Sequence, residues 1–193
     1  MALKESSKQF SLPAEGIVPA RLARIIEIGE HLTDYGVKDQ LYLYYSLPTR
    51  LIEDEGDFLG KQHMVRSRPM KNSDSVKAAL WDHRKVLNPE TRNLSDLLDI
   101  AAFLTLTHNT VEKDGQKRTF CNITNISGVP EGMEVGALDT TKFYFDFDNP
   151  DADIWTKLGD FTREKIQSAL NYNGSEVEKM VLHLEAMAGD AED

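Results

Sequence analysis

Residues 17–28 read IVPARLARIIEI, and residues 40–47 read QLYLYYSL. In the first stretch Val18, Ala20, Leu22, Ile26 and Ile28 fall on one parity, with Pro19, Arg21 and Glu27 on the other. A period of two marks a strand with one buried face. Arg24 interrupts the alternation, as a bulge in a strongly bent strand does. Pro19 has no amide proton to give a ladder, which suits a strand start or an edge. In the second stretch Leu41, Leu43, Tyr45 and Leu47 point one way, and Tyr42, Tyr44 and Ser46 the other.

Working outward, the acidic residues 53–57, with Gly56 among them, read as a hairpin loop. Residues 58–70 resume extended character, and Arg66 and Arg68 share a parity with Met64. Residues 72–98 change period. Ser73 or Asp74 is placed to cap a helix carrying Val76, Ala79, Leu80 and His83 or Val86, closed by Pro89. Leu94, Leu97 and Leu98 form a second helical turn. Strands return at 101–111 and 119–126, joined by a polar turn over 112–116 with Asp-Gly at its centre. Three strands, a helical segment and two strands predict a mainly β chain with α additions. The order is that of an OB-fold, a five-stranded barrel with a helix between strands three and four. Such an order is shared by many binding modules and does not by itself give function.

Residues 1–130 hold 17 Lys/Arg and 17 Asp/Glu, while residues 131–193 hold 5 against 15. The whole net charge of −10 therefore belongs to the C-terminal third. The expected organisation is a flexible N-terminus over 1–11, a binding body over 12–130, an acidic, partly helical extension over 131–189, and an acidic tail over 190–193. Within the extension, FYFDFDNPDADIW (143–155) reads as an acidic loop, and 161–172 as a short helix led by Asp160. Residues 175–188 read as an amphipathic helix, with Ser175 as its cap, Glu178 at capping-box spacing and Gly189 at its end. Val177, Met180, Val181, Leu184 and Met187 form its apolar face. That face can pack on its own body or pair with a second copy in a homodimer. An acidic end repels nucleic acid, attracts basic surfaces and can compete for a positive groove on its own body. Asp190, Glu192 and Asp193 are its expected partner-binding residues.

The single cysteine, Cys121, cannot form an internal disulfide, which points to a reducing compartment. MALKESSKQF carries no apolar signal, and the apolar runs are too short to span a membrane, so a cytoplasmic setting is expected. There is no phosphate-binding glycine loop, GxSxG, HExxH or CxxC, so neither catalysis nor a cofactor is expected. Asp146, Asp148, Asp151 and Asp153 invite a metal reading but fail the calcium-loop template. The required glycine falls on Asp151 and the closing glutamate on Lys157. They are read as a solvated acidic loop, and no metal site is expected.

The stronger constellation is Tyr42 and Tyr44 with Arg66 and Arg68, all on the outward parity of neighbouring strands. Two rings spaced two residues apart on one face lie about 6.6 Å from each other by strand rise, near the spacing of bases on a stretched strand. Rings stack on bases without reading sequence, and guanidiniums take phosphate. The same spacing equally suits rings that cover the sheet beneath the C-terminal segment. Lys117, Arg118, Phe120 and Asn122 extend this kind of surface onto the last hairpin.

Leu12-Pro13, Gly16, Pro19-Ala20-Arg21-Leu22 and Ile25-Ile26-Glu27-Ile28-Gly29 resemble the start of phage-encoded OB-fold single-stranded DNA-binding proteins. The resemblance continues through Gln40-Leu41, residues 94–98, residues 104–108 and Phe120-Cys121-Asn122-Ile123, and so covers about residues 12–130. Asp99-Ile100 stands where that family carries a glycine-lysine pair, and Trp81 and Arg84 stand apart where it carries a Trp-Arg-Gly-like element. The resemblance implies a sequence-tolerant single-stranded DNA-binding protein of phage replication or recombination, acting in the cytoplasm of an infected host. Tyr42 and Tyr44 would stack bases, with Phe120 as a further platform. Arg21, Lys61, Arg66, Arg68, Lys71 and Arg118 would neutralise phosphates. The acidic end would recruit replication or recombination proteins. The alternative is an OB-fold adaptor that binds proteins through its acidic helical segment. It gains if residues 53–57 cover Tyr42 and Tyr44.

Overall fold

β1 (Gly16–Thr33) and β2 (Gly36–Leu51) form a long antiparallel hairpin on which the rest of the sheet is assembled. The computed structural model describes residues 11–113 and 115–189. Most of the expected loose N-terminus and the tail residues Asp190, Glu192 and Asp193 lie outside the described residues. The further strands are β3 (Gln62–Arg66), β4 (Met70–Lys71), β5 (Ala101–Lys113), β6 (Gln116–Ser127) and β7 (Phe143–Phe145). Their path is β3-β2-β1-β5-β6, with β4 added on β2 and β7 added parallel on β1. The chain is mainly β, with a nearly closed, barrel-like sheet and a few helices.

Seven strands replace the expected five. The extended stretch 58–70 is divided because Ser67 leaves the ladder: its N–H donates to the Leu43 carbonyl while its hydroxyl accepts the Leu43 N–H. Pro69, which has no N–H, follows. β7 comes from the segment read as an acidic loop.

The bulge announced by Arg24 is present. The β1–β2 register shifts between Leu22 and Arg24, and again between Glu27 and Gly29. The first shift changes which parity faces the barrel. Val18, Ala20, Leu22 and Ile25 join Leu41, Leu43, Tyr45 and Leu47 in the barrel core. Ile26 and Ile28 point the other way, into a second core with Tyr42, Phe143, Phe145, Phe147 and Trp155. The apolar parity of β1 is thus divided between two faces rather than lining one.

That second core straddles the boundary drawn at residue 130. β7 pairs with Arg24, Ile25 and Ile26 of β1, and the helices behind it add Ile166, Val177 and Val181. Gly29 permits the closest approach. Its φ is +78°, and a Cβ there would lie 2.7 Å from Phe147 and 2.8 Å from both Ala169 and Asn171. Beside it, the Glu30 N–H donates to Asn171 Oδ1 at 2.8 Å and the Leu170 N–H donates to the Glu30 carbonyl at 2.8 Å.

α1 (Ala79–Leu87) starts later than expected. Neither Ser73 nor Asp74 caps it; Asp74 instead pairs with Arg84 at 2.8 Å, and Val76 is exposed. A 3-10 turn (Leu94–Leu97) is capped by Asn93 and buries Leu97. Beyond the sheet lie α2 (Ala152–Thr156), α3 (Asp160–Gln167) and α4 (Glu176–Gly189). The aspartates of the presumed loop organise turns. Asp151 caps α2 by accepting from the Asp153 and Ile154 amides, and Asp146 accepts from the Asp148 and Asn149 amides. Asp160 is the first residue of α3 rather than its cap, and α3 stops short of Tyr172. At α4 the Ser175 hydroxyl accepts from the Glu178 amide, while the Glu178 carboxylate accepts from Gly174. α4 packs on its own body through Val177 and Val181, whereas Met187 is exposed. No helix of the described residues is long and apolar enough to cross a membrane.

Candidate functional site

β3 and β6 are the two ends of the strand path, and between them the sheet stays open. Two local causes keep it so. β3 is five residues long and is followed by Pro69, which cannot donate to a ladder. Both facing edges also carry cations, Arg66 and Arg68 opposite Lys117 and Arg118, which disfavours edge pairing. The resulting cleft has a volume of about 1530 Å³. This exceeds the roughly 300–1,000 Å³ of pockets that enclose small ligands, and suits a segment of a polymer.

Arg24, Lys61, Arg66, Arg68, Lys117 and Arg118 line this cleft, against the carboxylates of Asp57 and Asp139. Asp139 is already engaged by the Gln62 amide at 2.7 Å. The five ion pairs among the described residues are Arg21–Asp99, Arg84–Asp74, Lys85–Asp82, Lys142–Asp99 and Lys179–Glu176. Not one of them uses a cleft cation. His63, also in the lining, adds no charge near neutrality because burial lowers its pKa below the ordinary value. On a chain of net charge −10, six cations that enter none of these ion pairs thus converge in one concave place, where field lines are focused.

Of the residues expected to bind, Lys61, Arg66, Arg68, Arg118, Phe120 and Asn122 come together here, and Lys117 joins them. Phe120 is 50% exposed and offers ring surface to the cleft, which Phe58, from the β2–β3 loop, also lines. The Arg66 guanidinium carbon lies 4.5 Å from the Tyr42 ring centroid and 4.4 Å from that of Phe161. This fixes its guanidinium at the β3 wall without neutralising it.

Four of the expected residues lie outside the cleft or are engaged by the protein itself. Tyr42 is only 3% exposed, edge-on to Tyr44 and enclosed by the second core, so it has no open face for a base. Tyr44 packs against the same core, and its hydroxyl lies 3.0 Å from that of Thr162. The tyrosines therefore cover the sheet beneath the C-terminal segment. That cover does not come from residues 53–57, the arrangement that would favour an adaptor. Arg21 is consumed by the protein: it donates to the carbonyls of Asp99, Val135 and Gly136 and pairs with the Asp99 carboxylate. Lys71 sits on β4 opposite Gln40, outside the cleft lining.

Arg24 and Phe58 were missed. Arg24 carried a signal, its break in the β1 alternation. The bulge turns its side chain away from the barrel core to the side of Ile26, where it meets Phe143 and the cleft. Phe58 stands at the end of the acidic run, and nothing in its local pattern distinguishes it. Comparison of the chain with protein-family models, curated proteins and solved structures gave no match. The functional reading therefore stands on the cleft itself: six cations outside the five ion pairs, the exposed Phe120 ring and a volume of about 1530 Å³.

Proposed function

We propose that this protein is an OB-type barrel that binds single-stranded DNA in the β3–β6 cleft, in support of phage replication or recombination. The observation that carries the reading is the set of six cleft cations without ion-pair partners among the described residues. Cations left uncompensated on an otherwise acidic chain suit a polyanion that arrives from outside. Phe120 favours a single strand, because stacking requires bases freed from a duplex. Neither ring faces nor phosphates distinguish sequence, so binding is sequence-tolerant. The strand path agrees with an open five-stranded barrel to which β4 and β7 are added. Asp99, at the position where the resembled family carries glycine, has φ +68°, in the region that favours glycine.

Fluorescence anisotropy with a labelled oligo-dT, full-length protein and low salt tests this reading. The expected result is tight binding to the single strand and weak competition by a matched duplex. Phe120→Leu should weaken binding by about 1–3 kcal/mol, the worth of one stacked base. Tyr42→Phe, which alters a buried ring, should leave it unchanged. No binding by the full chain, or equal loss in both variants, overturns the reading.

A further inference from the structure

Arg24 differs from Arg21 and Arg84 in having neither a carboxylate nor a carbonyl partner among the described residues. Arg84 has a carboxylate and a carbonyl, from Asp74 and Thr91, and Arg21 has three carbonyls and Asp99. Arg24 has one long hydrogen bond, from Nη2 to the Thr140 hydroxyl at 3.3 Å. Its Nε, like those of Arg50 and Arg84, is buried and has no partner among the described residues. Its guanidinium carbon lies 5.0 Å from the centroid of the Phe143 ring, and no carboxylate of the described residues pairs with it. Burial lowers its pKa from the ordinary arginine value, the direction expected of a charge held where charge is disfavoured. Yet the same side chain lines the cleft, beside Thr140 and Thr141. A half-buried cation with spare donors, flanked by hydroxyls and open to a basic cleft, is complementary to an oxyanion.

We propose that Arg24, with Thr140, forms a built site for a single phosphate group, the anchor that fixes a bound strand's register in the cleft. The strand part of this inference rests on the proposed function, whereas the phosphate part can be tested without any strand. Lys61, Arg68, Lys117 and Arg118 are exposed and act mainly through screened attraction. The Arg24 contact is sheltered and is screened less.

Arg24→Gln keeps the length and removes the charge, and Thr140→Val removes the hydroxyl alone. If Arg24 served only to hold the fold, Arg24→Gln would lower the melting temperature. Relieving an unpaired, half-buried charge should instead leave it unchanged or raise it. Oligo-dT affinity should fall about tenfold to a hundredfold in Arg24→Gln, the worth of a hydrogen bond to a charged group, and less in Thr140→Val. The deficit should persist as salt is raised, unlike that of Lys117→Ala/Arg118→Ala. Inorganic phosphate should raise the melting temperature of the wild type but not of Arg24→Gln. A 5′-phosphorylated oligomer bound more tightly than its hydroxyl counterpart, in the wild type alone, assigns the site to a terminal phosphate. Equal binding of the two assigns it to a backbone diester. A destabilised Arg24→Gln, or one that binds oligo-dT and responds to phosphate as the wild type does, overturns the proposal and leaves the cleft reading standing. If the wild type binds no oligomer, the cleft reading fails, and the phosphate arm alone decides whether Arg24 is an anion site.

Discussion

Removing the charges of Lys117 and Arg118 probes the β6 wall of the cleft, and the size of the effect follows from the lining. With one phosphate per cleft cation, six phosphates are neutralised. Counterion release from a single strand contributes about −0.7 per phosphate to the slope of log K against log salt, so the wild-type slope should be about −4. Lys117→Ala/Arg118→Ala should bring it to about −3. Raising salt from about 50 to about 200 mM then weakens the wild type about 300-fold and the variant about 50-fold. Anisotropy titrations of labelled oligo-dT across that range measure both slopes. The control is Lys71→Ala/Lys77→Ala, which removes the same charge from two exposed residues outside the lining. Its slope should match the wild type. If the control falls as far as the cleft variant, binding follows net charge rather than the cleft, and the assignment of the walls is wrong.

Two further outcomes concern the fold. His83 is buried, with Nδ1 2.7 Å from the Tyr45 hydroxyl, and burial lowers its pKa to about 4. The unfolded chain takes up that proton below its ordinary value of about 6.5, so stability falls as pH drops from there to about 4, by about 3 kcal/mol in all, and this contribution is flat below. His31 and His63, also lowered by burial, act in the same direction, whereas the raised carboxyls of Glu27 and Asp39 oppose it at the acidic end. Urea midpoints against pH should therefore be compared with those of His83→Gln. Identical profiles would refute the assignment. Gly29→Ala combines left-handed backbone with overlap against Phe147, Ala169 and Asn171. It should cost about 2–4 kcal/mol and lower the melting temperature by about 5–15 °C. Gly36→Ala, at φ +85° with nothing within 4 Å, should show only the smaller backbone part. Equal shifts in calorimetry would show that the approach at Gly29 is not tight.

What the sequence made legible depended on how local its cause was. β2 alternates without interruption across residues 41–47, and its inward set, Leu41, Leu43, Tyr45 and Leu47, is the set in the barrel core. β1 was legible as a strand but not in its sides, because the bulge before Arg24 resets the parity and sends Ile26 and Ile28 to a different core. Arg66, Arg68 and Arg118, read on an outward parity, do line the cleft, because outward-pointing charge is a local pattern. Tyr42 and Tyr44 could not be assigned in this way. Their spacing is the same whether a base or a protein covers them, and their cover begins about a hundred residues further along the chain. Phe143, Phe145 and Phe147 alternate visibly, yet their acidic neighbours read as a loop. The three-residue β7 exists because Arg24, Ile25 and Ile26 offer it an edge.

The divided loyalty of β1 bears on how the protein is made. Ile26, Ile28 and Tyr42 leave the ribosome early, but their covering residues run from Phe143 to Val181. At about 5–20 residues per second, the intervening chain takes roughly 5–30 s to synthesise. During that interval the nascent barrel presents a bare apolar face beside an unfinished sheet edge. This is a surface that a chaperone can hold, or that neighbouring nascent chains can share. The acidic third is thus also the last piece of a hydrophobic closure, and a stalled or prematurely terminated chain is released with that face uncovered.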